Sequence, residues 1–232
     1  MVTIAALDVD GTLLPGTLGW PLPEMLVNRG WCKPDSWQRL RDFLACVGPT
    51  GLEQATAAAR AWELFADMVK GVPVAAVQAC ARHIWSQAHG HVFTFVPPLI
   101  AAIRGAGLEP MLVSAGPQEL GGCAAAQLGI ERYAGTVLEE ADGVFTGGFS
   151  GVPTLGKPVV VASAAGGHEV DWARSLALGN SVLDADLLDL VGIPVAFEPT
   201  TALRARARVS GWPIADRGTV LALVHQLLAT AT

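Results

Sequence analysis

Val2-Thr3-Ile4-Ala5-Ala6-Leu7-Asp8-Val9-Asp10-Gly11-Thr12 is an apolar run that ends abruptly in two carboxylates and a glycine. From Val2 to Val9 it has no helical period, so it reads as a strand buried on both faces, the kind that parallel sheets use. Its polar groups are held back for the carboxyl end. Asp8 and Asp10, two residues apart, can both face one site if the strand stops between them.

Working outward, the same pattern recurs. Glu109 to Val113 leads into Ser114-Ala115-Gly116-Pro117, Ser175 to Leu178 leads into Gly179-Asn180-Ser181, and Ile193 to Phe197 forms a fourth run. Helical patterns separate these strands at Pro98 to Ala106, Gln118 to Leu128, Pro158 to Ala165, Leu183 to Val191 and Thr200 to Val209. Strands alternating with helices predict an α/β fold with a parallel sheet covered on both faces. Ligands of such sheets collect beyond the carboxyl ends of the strands, which puts Asp8, Asp10, Ser114, Asn180 and Asp184 on one edge. Val137 to Phe149, centred on Asp142-Gly143, reads as a hairpin.

Residues 15–91 break this rhythm. Trp37 to Val47, Leu52 to Val69 and Val74 to Gln87 look helical, no strand intervenes, and five of the seven tryptophans fall here. The segment is therefore expected to be an all-helical cap inserted after the first strand, leaving 1–14 and 92–232 as the core.

The chain of 232 residues is 51% hydrophobic, which is ample for a core, and its net charge of −6 argues against a nucleic-acid surface. No apolar run reaches the ~20 residues of a membrane-spanning helix, and the N-terminus lacks the basic start of a signal peptide, so the expected compartment is the cytoplasm. Cys32, Cys46, Cys80 and Cys123 stand far apart and read as reduced thiols. His83, His89 and His91 read as a solvated helix end, and Arg204, Arg206 and Arg208 as a solvated stripe.

Phosphoryl transfer is the chemistry that this edge suits. Asp8 can attack phosphorus as a carboxylate nucleophile, and Asp10 can protonate the leaving oxygen and then deprotonate water. Gly11 allows close approach of the backbone, and Thr12 offers a hydroxyl and an N–H. Ser114, with the N–H groups from Ala115 onward at the next helix start, can hold phosphate oxygens. Lys157, between Gly156 and Pro158, can neutralise both the phosphoryl group and Asp8. Magnesium takes oxygen ligands, and Asp8, the Asp10 carbonyl and Asn180 would supply them, with Asp184 behind. Taken singly, each residue also has a structural reading as a capping or surface group.

Together these residues resemble the haloacid dehalogenase superfamily. Asp8-Val9-Asp10-Gly11-Thr12 looks like its first motif, Ser114 its second, Lys157 its third and Gly179 to Asp184 its fourth. Leu112 to Pro117, Asp189 to Ala196 and Leu203 to Arg208 with Gly211-Trp212-Pro213 resemble the phosphoserine-phosphatase-like branch, whose helical cap follows the first motif. The resemblance implies a Rossmann-like core, Mg2+ and an aspartyl-phosphate intermediate. Two departures from that pattern stand out. Asn180 replaces the usual aspartate, and the early cap lacks a well-placed glutamate to hold a substrate amine, Glu24 being the nearest. The expected function is hydrolysis of a small phosphorylated substrate. Transfer to an acceptor other than water and a catalytically weak binding or regulatory module remain as alternatives. Neither the substrate nor the oligomeric state follows from the sequence.

Overall fold

The computed structural model describes residues 1–47 and 51–230, with the backbone alone at 51–55. Residues 48–50, inside the segment expected to form the cap, lie outside the described residues. Among the described residues one sheet holds seven strands: β1 (Ile4–Asp8), β2 (Glu109–Pro117), β3 (Arg132–Ala141), β4 (Val144–Ser150), β5 (Leu176–Gly179), β6 (Ile193–Phe197) and β7 (Ile214–Ala215). Their order is β4-β3-β2-β1-β5-β6-β7, and every neighbouring pair is parallel except β3 with β4.

The strand that carries the two carboxylates lies between β2 and β5. Asp8 pairs with Val113, and Leu7 with both Leu112 and Leu178. The alternation of side chains along a strand sends Ala5 and Leu7 to one face of β1 and Ile4 and Ala6 to the other. All four are fully buried, so the run has no polar face to expose.

Between β1 and β2 come α1 (Pro21–Asn28), α2 (Pro34–Cys46), α3 (Gly51–Val69) and α4 (Val74–Ala88). A fifth, α5 (Val96–Gly105), also precedes β2, and beyond that strand lie α6 (Gln118–Leu128), α7 (Val152–Leu155), α8 (Lys157–Ala164), α9 (Ala185–Leu190), α10 (Thr201–Ser210) and α11 (Val220–Thr230). The helices α1 and α2 start on prolines, whose missing N–H costs nothing in a first turn. Gly129 and Gly211 close α6 and α10 in the left-handed conformation.

The first four helices are not a separate ball. Leu22, Leu26, Trp37, Phe65, Val77 and Ile84 belong to the same buried cluster as Leu7 and Leu112. The α3–α4 connection also pairs with the edge of the sheet. Gly71 N donates to Phe145 O at 2.8 Å, Phe145 N to Val72 O at 3.0 Å, and Val74 N to Gly143 O at 3.0 Å. This covers an edge strand that would otherwise present free N–H and C=O groups.

Several elements differ from the sequence pattern. The first strand starts at Ile4, because Val2 instead bridges Val170. The expected hairpin is present, with Asp142 at φ 51° and Gly143 at φ 77°, as a two-residue turn of this hand requires. Its first strand begins earlier, at Arg132, because residues 132–134 pair in parallel with β2 before the turn. The helix expected from Leu183 splits into a 3-10 turn at Val182–Asp184 and α9, because the Asp184 side chain is drawn back to the chain's own N–H groups. The sequence pattern does not mark α1, α11 or the two-residue β7. No helix of the described residues is long and apolar enough to cross a membrane.

Candidate active site

Where β1 ends, the chain turns sharply. Thr12 N and Leu13 N both donate to Val9 O, at 3.2 and 3.0 Å, and Gly11 takes φ 77°. Glycine serves two needs here. That φ is costly for other residues, and a Cβ would lie 2.2 Å from the Asn180 side-chain nitrogen. The absence of a side chain thus lets the loop after β1 and the loop after β5 meet.

Asp8 is 6% exposed. Its Oδ2 accepts from Thr12 Oγ1 at 2.7 Å, and its Oδ1 from Lys157 Nζ at 2.6 Å. Lys157, 1% exposed, also donates to Val113 O at 3.3 Å and to Asp184 Oδ1. The other Asp184 oxygen accepts from Asn180 N at 3.0 Å, Ser181 N at 2.8 Å and Ser181 Oγ at 3.2 Å. Asp184 therefore does two jobs, fixing the ammonium and folding the β5 loop. Gly179 leaves room for it, since a Cβ there would lie 2.3 Å from Asp184 Cγ.

Asp10 points elsewhere. Its Oδ1 accepts from Leu18 N at 2.6 Å and its Oδ2 from Ser114 Oγ at 3.2 Å, while Ser114 Oγ accepts from Gly116 N at 2.8 Å. The pairing of β2 with β3 shifts register between Val113 and Pro117, so this stretch is a bulge at the strand's end. The bulge releases Ala115 O, which accepts from Trp62 Nε1 and from Thr136 Oγ1, both at 2.9 Å.

Electrostatics follow from this burial. Desolvation, with the Asp184 charge second, pushes the Asp8 carboxyl up from 3.8 to about 7, against the pull of Lys157. Burial also raises Asp10, opposed by its bonds from Leu18 and Ser114. Burial alone would lower Lys157, but Asp184 and Asp8 outweigh it and raise the ammonium well above its ordinary value. Two carboxylates thus share a single buried ammonium, with a third, Asp10, close by.

The excess of negative charge is what a divalent cation would offset, and the free donors are the hard oxygens magnesium prefers. Among the described residues no three His, Cys, Asp or Glu side chains are grouped to hold a metal. Asp184 does not line the cavity, its oxygens being turned to Lys157 and the loop. The donors left are Asp8, the Asp10 carbonyl and the Asn180 amide oxygen, so the residues fit the ion through carboxylate, carbonyl and amide together.

Of the expected residues, Asp8, Asp10, Gly11, Ala115, Lys157 and Asn180 line one cavity of about 660 Å³. Ser114 stands behind Asp10 and Asp184 behind Lys157. Thr12 is fully buried, with its hydroxyl donating to Asp8 and its N–H to Val9 O, so it fixes the Asp8 carboxylate. Glu24, on α1, and Trp31, just after that helix, are exposed and do not line the cavity. The sequence reading did not single out the opposite wall, built from α2 and α3 by Leu40, Leu44, Ala58, Ala61 and Phe65. Their spacing on each helix marks a shared face, but a packed core produces the same spacing.

A model of the family described as haloacid dehalogenase-like hydrolase matches residues 5–189. A phosphoserine phosphatase of Mycobacterium tuberculosis is 29% identical over 222 residues, covering 93% of this chain and 71% of that protein. A putative hydrolase of Mycobacterium leprae is 38% identical over 113 residues, covering 48% and 38% respectively. Among solved structures, a protein of unknown function from Bordetella pertussis Tohama I superposes with a TM-score of 0.73 at 25% identity, over 93% of this chain and 99% of the other. With the match spanning the first strand, the Asp8 loop, the bulge, Lys157 and the β5 loop, the chain belongs to the haloacid dehalogenase-like hydrolase family.

Proposed function

We propose that this protein is a magnesium-dependent phosphatase that hydrolyses a small phosphate monoester through a phosphorylated Asp8. The observation that carries this reading is the junction of Asp8, Lys157 and Asp184 beside the Asp10–Ser114 pair, all at one end of one cavity. A phosphatase name among the relatives supports it.

An Asp8 carboxylate oxygen attacks phosphorus as the bond from phosphorus to the substrate oxygen breaks. Asp10, whose carboxyl burial shifts toward the protonated form, gives a proton to the departing alcohol. Water then attacks phosphorus, Asp10 takes a proton from it, and the bond from phosphorus to the Asp8 oxygen breaks. Inorganic phosphate leaves and Asp8 is restored. Lys157 holds Asp8 and balances charge throughout, while Asp184 positions Lys157. Asp8, the Asp10 carbonyl and Asn180 would hold magnesium, which when bound neutralises charge on the phosphoryl oxygens. Residues 15–91 act as a cap that excludes water and selects the leaving group.

Phosphate release from simple monoesters, with magnesium or with a chelator, tests this. Rates that match with and without the metal, or no release at all, would sink it. Adding a high concentration of a simple alcohol and looking for its phosphate ester separates hydrolysis from transfer to another acceptor.

Proton and metal compete for Asp8, so stability should depend on pH in a defined direction. The folded pKa is raised, so in metal-free protein the folded state holds a proton that the unfolded chain has lost. This group's contribution is fully present below the ordinary aspartate value and disappears as pH rises to about 7. Magnesium should accordingly raise Tm more at about pH 8 than at about pH 5.5. Equal gains at both values, measured by thermal unfolding, would remove Asp8 from the ligand set.

Asn180→Asp adds a charged oxygen where a neutral one stands. The magnesium concentration for half-maximal activity should fall, because a full charge holds a hard cation better than an amide dipole. Superimposed titrations of the two proteins at fixed ionic strength would mean that Asn180 is no ligand.

A further inference from the structure

The relatives' names point to phosphoserine, whose leaving group carries both an ammonium and a carboxylate. Among the described residues the cavity offers these groups the neutral polar side chains of Thr17, Asn180, Ser181 and Thr200, but no charge of their own to pair with. Beyond Asp8, Asp10 and Lys157 no charged side chain among the described residues lines it. All three sit at the reactive end, and Lys157 is already spent on Asp8 and Asp184. The wall facing them is built by Trp20, Trp37, Leu40, Leu44, Trp62 and Phe65.

The aromatic members of that wall are already ordered. Trp20 and Trp37 meet edge-on with ring centres 6.4 Å apart, and Trp62 meets Phe65 edge-on at 5.4 Å and stacks on Phe149 at 5.8 Å. The one polar atom of Trp62 is turned away from a ligand, since its Nε1 is bonded to Ala115 O. Trp37 is 9% exposed and Trp20 is 52% exposed, so the aromatic wall runs from the interior to the mouth. A volume of about 660 Å³ is that of a small-molecule site and far exceeds a phosphate ion.

From this we infer that the substrate is the phosphate monoester of a bulky apolar alcohol bearing a ring, with no charge beyond its phosphate. Resting on the phosphatase reading, the inference names the leaving group that the reading leaves open. A ring enters by leaving water for apolar surface, whereas an ammonium or carboxylate against the same wall would lose hydration and gain no charged partner among the described residues.

The test compares three unactivated alkyl esters at one magnesium concentration: 2-phenylethyl phosphate, phosphoethanolamine and phosphoserine. The expected kcat/KM for the phenylethyl ester is at least about 100-fold above both charged esters, from the area of one ring and the unpaired charges. Phosphoserine within tenfold of it, or faster, overturns the inference and leaves the phosphatase reading standing. No release from any ester defeats the phosphatase reading instead, and binding then decides the inference. In thermal-shift titrations 2-phenylethylphosphonate should bind at least about tenfold more tightly than 2-aminoethylphosphonate, and equal or reversed affinities overturn it. Leu44→Asp, at the half-buried edge of the wall, should reduce the phenylethyl preference about tenfold or more. Equal losses on the phenylethyl and ethanolamine esters would mean that this wall does not contact the leaving group.

Discussion

Asp8→Asn is expected to reduce phosphate release below detection while the protein stays folded. The amide keeps the shape of the carboxylate and can still accept from Thr12 or Lys157, so the packing around it survives. It cannot act as the anionic nucleophile, and Asp10 is held by Leu18 and Ser114 in a different direction. Loss of a general acid or base costs about 10²–10⁴ in rate, and loss of the covalent step should cost more. The substitution also removes a strained charge from a buried site, so Tm in the absence of metal should hold or rise at alkaline pH. A variant retaining more than a few per cent of the rate would transfer the nucleophile's role to another group.

Lys157→Met should destabilise the fold as well as stop turnover. The ammonium is the only cation in contact with Asp8 and Asp184 among the described residues, and all three are buried. Methionine fills a similar volume but leaves two carboxylates facing each other in low dielectric. Removing one partner of such a group costs about 3–5 kcal/mol, and 3 kcal/mol corresponds to roughly 6–12 °C in Tm for a chain of this size. The loss should shrink at acid pH, where Asp8 takes up a proton and one of the charges disappears. Adding Asp184→Asn should restore part of the stability without restoring activity, since the amide oxygen can still accept from the Asn180 and Ser181 N–H groups. Chemical denaturation of the three proteins in chelator checks the order, and a single variant as stable as the wild type at alkaline pH would contradict it.

The sequence made the reactive end legible for a physical reason. A parallel strand buried on both faces can carry polar groups only at its end, so Asp8, Ser114 and Asn180 each announce a strand terminus facing the same edge. Lys157 is different, because a lone lysine before a proline carries no such mark, and its place in the chain was what pointed to it. The apolar wall of the cavity was not legible. Leu40, Leu44, Ala61 and Phe65 line a cavity with the same residue types and helical spacing that fill a core, and only the packing of α2 against α3 tells the two apart. The direction of Thr12 is not written in the sequence either, since a turn that bonds Thr12 N to Val9 O also swings its hydroxyl onto Asp8. The terminal helix α11 escaped notice because nearly all of its residues are apolar, which blurs the stripe formed by Val220, Val224 and Leu228.

The bulge at the end of β2 places one carbonyl in the service of two elements. Ala115 O holds Thr136 of the sheet and the Trp62 indole of α3, and its neighbour Ser114 holds Asp10. Mechanically this is a linkage. Helix α3 is fastened at its far end too, where residues 71–74 pair with β4, so it cannot lift away from the sheet as a free flap. If it shifts with the indole bond intact, it drags Ala115 and with it the hydroxyl that holds Asp10. If the bond breaks, a buried carbonyl loses one of its two donors. On the proposed mechanism, a leaving group pressing on Trp62 would be felt at Asp10, so a poorly fitting one would be penalised in the speed of bond cleavage as well as in how tightly it is held.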